Sequence, residues 1–133
     1  MKSIVMSLVF IFLCATAIFS QHLYTVSAYE PDEEYDNIWS KEFYSDSLAT
    51  STLMWVKDYV KLHKHEFHTE HIYILKGSGD MNIGGETISV FSGDILIIPK
   101  NTAHSLEVSS REPLKLISIK SPQFLGKDII YLE

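Results

Sequence analysis

From residue 38 onward, apolar and polar residues alternate over short runs, and glycine or other turn residues separate most of these runs. No stretch sustains a helical period, so the pattern predicts strands throughout. The strands read as IWSKEFY (38–44), TLMWVK (52–57), VKLHKH (60–65), HIYILK (71–76), GDMNI (79–83), ETISVF (86–91), DILIIP (94–99), HSLEVS (104–109) and LKLISIK (114–120). Gly77, Gly79 and Gly93 fall between them, and Gly84-Gly85 reads as a hairpin turn. So many short strands must curl into a small antiparallel barrel or sandwich, because a long open sheet leaves unpaired edges. No internal repeat or low-complexity stretch interrupts the series.

The segment ahead of the strands is different. Residues 1–20, MKSIVMSLVFIFLCATAIFS, carry one charge, Lys2, followed by an apolar run from Ile4 to Phe19. A membrane span needs about 20 apolar residues. This run is shorter and is followed by small and polar residues, the layout of a signal peptide, with an uncleaved anchor as the alternative. The expectation is a secreted or periplasmic protein, with several small-residue positions open as the cleavage point. Residues 21–37 then read as an acidic linker, since EPDEEYD (30–36) crowds like charges that repel and bury nothing. Residues 38–133 are left as one domain, enough for a single core.

Charge narrows the partners. There are 17 acidic residues against 11 basic ones and no basic stripe, so neither nucleic acid nor a stable acidic-membrane partner is expected. The one cysteine, Cys14, lies in the leader, so the domain has neither disulfide nor thiol chemistry.

The chemistry concentrates in LHKHEFHTEHIYILKG (62–77), which holds four of the six histidines. On a strand, positions two apart share a face, so His63 and His65 point the same way. Glu70 opens the next strand across a bend and shares its face with Ile72 and Ile74, which by parity puts His71 and Tyr73 on the opposite face. His104 follows the turn PKNTA and shares its face with Leu106 and Val108. His68 and Glu66, in the connection, read as solvated loop residues; a proton-shuttling His68 is the alternative. Trp39, Phe43, Trp55 and Tyr59 read as core or interface aromatics.

The spacing His63-x-His65-x4-Glu70-x6-Gly77 resembles the first motif of the cupin superfamily, and Gly93-x5-Pro99-x-Asn101-x2-His104 resembles most of the second. The resemblance covers residues 51–120. It implies a jelly-roll-type β-barrel of eight to nine strands, with His63, His65, Glu70 and His104 as metal ligands. Asn101 stands where glycine is usual, which asparagine's tolerance of left-handed turns permits. Val108 replaces a frequent asparagine and should make the cavity wall more apolar.

Three imidazoles and a carboxylate suit iron, manganese, nickel, copper or zinc, and affinity order does not choose among them. The resemblance implies a metal-dependent enzyme on a small organic molecule, of dioxygenase or isomerase class, or a non-catalytic module in which the metal helps bind a sugar or other small ligand. No catalytic group beyond the ligands is identifiable in the sequence. A homodimer is expected, with IWSKEFY adding to a neighbour's sheet edge. Ordinary histidine and glutamate pKa values, about 6.5 and 4.3, predict metal loss below about pH 6 with up to three protons taken up.

Overall fold

The computed structural model describes residues 23–133; the predicted leader and Cys14 lie outside them. Ten strands build two antiparallel five-stranded sheets. They are β1 (Ile38–Ser45), β2 (Thr50–Val56), β3 (Tyr59–Lys64), β4 (Thr69–Lys76), β5 (Ser78–Ile83), β6 (Glu86–Phe91), β7 (Ile95–Ile98), β8 (His104–Val108), β9 (Leu114–Ser121) and β10 (Ile130–Tyr131). One sheet runs β1-β2-β9-β4-β7 and the other β10-β3-β8-β5-β6. The only helical element among the described residues is a single 3-10 turn, Val26–Ala28.

Alternation along the strands decides what the sheets enclose. Ile72 and Ile74 of β4, Leu114 and Leu116 of β9, Met81 of β5, Val90 of β6 and Leu106 of β8 form one buried cluster spanning both sheets. Burying each such side chain stabilises the fold by about 1.5–3 kcal/mol relative to exposing it. Neighbouring strands close tightly at this end. A Cβ added at Gly79 would lie 2.6 Å from the Glu107 carbonyl oxygen and 2.8 Å from a Leu106 methyl, so only glycine lets β5 lie this near β8.

A second cluster sits on the outer face of the first sheet. Trp39, Leu53 and Trp55 are covered there by Val26, Tyr29 and Tyr35 from the segment ahead of β1. Lysines from the strands hold that segment down. Lys115 donates to the Tyr29 carbonyl at 2.7 Å while lying 4.4 Å over the Trp55 ring, and Lys57 donates to the Tyr35 carbonyl. Such lysines bury their stems and keep their ammonium groups partnered. The acids of EPDEEYD stay exposed among these anchored tyrosines.

One detail of the strand pattern needs correcting. β10 has no counterpart in the sequence reading; it pairs Ile130 with Lys64 and Tyr131 with His63, closing the edge of the second sheet. β1 pairs with β2 of its own chain, Trp39 opposite Trp55, and its other edge borders no strand among the described residues.

Candidate metal centre

The four sequence-identified residues converge at the end of the barrel away from Gly79. The antiparallel register sets His63 of β3 directly opposite His104 of β8, with ring centroids 4.1 Å apart. His65 follows β3 by one residue, and Glu70 enters from β4 in the facing sheet, opposite Lys120 of β9. All four are buried, and one ligand atom from each lies within 4.8 Å of all the others.

Hydrogen bonds fix which nitrogen of each ring faces the cluster. His63 Nδ1 lies 2.8 Å from the Lys61 carbonyl, His104 Nδ1 lies 3.0 Å from the Thr102 carbonyl, and His65 Nδ1 meets the Asp128 carbonyl. A carbonyl only accepts, so each Nδ1 carries the proton and each Nε2 is left with a lone pair.

Glu70 is held just as firmly. Its Oε1 accepts from Ser118 Oγ and lies 2.7 Å from Lys120 Nζ. Its Oε2 faces His104 Nε2 at 3.1 Å and His65 Nε2 at 3.6 Å. A carboxylate lone pair meeting an imidazole lone pair at that distance is repulsive unless a proton or a cation lies between them. His65 Nε2, buried with no hydrogen-bond partner, makes the same demand. The donor set therefore fits a divalent metal ion, with Nε2 of three neutral histidines and Oε2 of Glu70 as the ligand atoms.

The electrostatics agree. Burial, reinforced by the neighbouring His104, pushes His63 down from 6.5 to about 4, so it is neutral when a metal would bind. Burial pushes the Glu70 carboxyl up, but the adjoining His104 and His65 imidazoles and the charge of Lys120 outweigh it and hold the group well below its usual range.

Beside the cluster lies a cavity of about 780 Å³. Its wall is apolar over Met54, Ile72, Met81, Leu106 and Leu116, and its rim carries the exposed Tyr59 and Tyr131.

Most expectations for individual residues agree with these positions. His71 and Tyr73 are exposed on the outer face, and Asn101 adopts φ +63°. Tyr59, read as a core or interface aromatic, is not in the core and stands exposed at the rim. Val108 packs against the core cluster rather than lining the cavity.

His68, expected to be solvated, is buried. Its Nδ1 lies 2.5 Å from Asp128 Oδ2 and its Nε2 lies 3.0 Å from the Gln123 carbonyl. The sequence reading missed Asp128 altogether. Its carboxylate accepts from the backbone N–H groups of Glu66 and Phe67, each at 2.9 Å, and its carbonyl orients His65. Lys120 was missed too, although alternation from Leu114, Leu116 and Ser118 points it inward.

Fold and site together define a cupin, and comparison with known proteins agrees. The chain matches the cupin domain family model Cupin_2 over residues 52–120 and belongs to that family. It is 41% identical over 70 residues to mannose-1-phosphate guanylyltransferase RfbM of Salmonella typhimurium, covering 52% of this chain and 15% of that protein. It is 38% identical over 60 residues to quercetin 2,3-dioxygenase of Bacillus subtilis, covering 45% of this chain and 18% of that enzyme. This chain thus spans only a small part of either relative. Among solved structures, a conserved protein with a double-stranded β-helix domain from Klebsiella pneumoniae superposes with a TM-score of 0.72 at 16% identity, covering 84% of this chain and 97% of that one.

Proposed function

We propose that this cupin binds a divalent first-row metal ion through His63, His65, Glu70 and His104 and is a metal-dependent enzyme on a small organic molecule held in the adjoining cavity. The observation that carries the reading is the set of three buried imidazoles, each with its Nδ1 spent on a carbonyl, whose Nε2 atoms converge on Glu70 Oε2 with one of them unpartnered. A bound ion would supply Lewis acidity or, if redox-active, electron transfer. The chain's own contributions are orientation of the ligand atoms, an apolar wall that excludes water, and the Lys120 ammonium beside Glu70.

The reaction class is oxygenation or isomerisation; similarity to a quercetin dioxygenase supports the first. Metal content of the purified protein tests the ligand set, and an oxygen-consumption screen against an isomerisation screen tests the class. Protein free of every first-row metal, which also gains no thermal stability from added zinc, manganese or iron, would refute the reading. We also infer export, from the apolar run Ile4 to Phe19, and pairing of two copies along the open edge of β1. N-terminal sequencing of the protein from its native compartment and light scattering test these two in turn.

A further inference from the structure

We propose that the cavity beside the histidine cluster takes a small carboxylate with an apolar body, and that Lys120 is the residue that holds the carboxylate. The proposal rests on the reading above that the cavity holds a small molecule, and it adds the chemical class of that molecule.

The first observation is charge. Acids outnumber bases in the chain, 17 to 11, yet the cavity wall reverses the balance, with Lys61 and Lys120 against Glu70 alone. Glu70 and Lys120 pair at 2.7 Å and neutralise each other, which leaves Lys61 as the uncompensated charge on the wall and Glu70 with little to repel an incoming anion. A low-dielectric wall strengthens the remaining positive field.

The second is donor capacity. An ammonium has three N–H groups. Lys120 directs them at Glu70 Oε1, 2.7 Å away, and Ser118 Oγ, 2.8 Å away, and among the described residues no third protein acceptor meets it. Lys120 lines the cavity next to the cluster, with its ammonium 5.1 Å from the Phe124 ring centroid, and a ligand oxygen can take the remaining donor.

The third is what the wall lacks. Apart from the cluster, Lys61 and Lys120, the polar side chains of the wall are Ser105, the rim tyrosines Tyr59 and Tyr131, and Asn37, whose amide is spent on Tyr59 and Asp58, while Met54, Ile72, Met81, Leu106 and Leu116 offer no hydrogen bonds. Burying the hydroxyls of a sugar against these side chains would leave them unsatisfied, whereas an alkyl or aryl body gains from the same contact.

The test measures binding of phenylacetate and its neutral near-isostere phenylacetamide by calorimetry, in the protein as purified, with its metal quantified, and again after chelation. Phenylacetate should bind at least about tenfold tighter than the amide in both forms, as a charge-assisted hydrogen bond provides. Lys120→Met should lose about tenfold for the acid and nothing for the amide. Equal binding of acid and amide by the wild type, or undiminished acid binding by Lys120→Met, overturns the proposal and leaves the metal reading standing. Should Lys120→Met fail to fold, as its far-ultraviolet circular dichroism would show, the wild-type comparison after chelation decides alone. Absence of metal in the purified protein bears on the metal reading only, because the chelated comparison does not need it.

Discussion

The two ends of the barrel are built by the same strands and serve opposite purposes. Along the inner face of β9, Leu114 and Leu116 at one end give way to Ser118 and Lys120 at the other, and along β8 Leu106 gives way to His104. At the Gly79 end the neighbouring strands β5 and β8 approach until no extra methyl fits; at the other end the sheets part around a cavity and converge polar atoms into it. Alternation specifies the face a side chain joins, and distance along the strand then decides whether it packs in the core or joins the polar cluster.

The largest expected effect separates the two ends by mutation. His104→Ala should abolish most metal binding, read by elemental analysis after dialysis, at modest cost in melting temperature. Leu106→Ala, two residues on and on the same face, should do the reverse. It should lose about 2–5 kcal/mol of stability by denaturant unfolding and keep the metal. Equal metal loss in both would mean that the ends are not independent.

Next comes acid. Folded His63 has a pKa of about 4 against 6.5 for the free group, so the unfolded chain binds more protons between those values, and stability falls as pH drops from 6.5 toward 4. Glu70, held below 4.5, adds stability that is lost as pH falls through its lowered value. Both slopes run the same way, so the ion-free protein should melt progressively lower from pH 7 to pH 4. His63 takes no proton in mildly acidic solution, which removes it from the three-proton exchange that ordinary pKa values predict. Added zinc should raise the melting temperature far more at pH 8 than at pH 5. A zinc increment independent of pH would place the ion elsewhere.

A smaller effect tests the support of the open end. Asp128→Ala frees two backbone N–H groups and His68, and should lower metal affinity about tenfold by loosening the turn that carries His65. Zinc titration against a competing chelator reads it. Wild-type affinity in the variant would show that the His65 ring is held without the Asp128 carboxylate. The smallest effect belongs to the outer face. His71→Ala should leave metal content unchanged and stability within about 0.5 kcal/mol, and metal loss there would contradict the β4 register.

The sequence carried the strands and the four converging residues because both depend on local signals, period-two alternation and motif spacing. The missed features are long-range. Asp128 meets His68 from 60 residues away, and nothing near Lys-Asp-Ile-Ile marks that partner. β10 has two residues, too few to show alternation. His68 read as solvated because the acid that pays for its burial lies in another part of the chain. Lys120 was legible by alternation, but a lone lysine at a strand end gives no sign of facing a carboxylate until the pairing of β4 with β9 is known.

The Asp128 carbonyl also sets an order of events during biosynthesis. Ribosomes release the chain from its amino end, so His63, His65, Glu70 and His104 all emerge before the residue that turns His65 toward the others. Until Asp128 docks, the His65 ring lacks the acceptor that orients it. The four-residue cluster is therefore a late product of synthesis, complete only once residue 128 has been made and has closed over the turn.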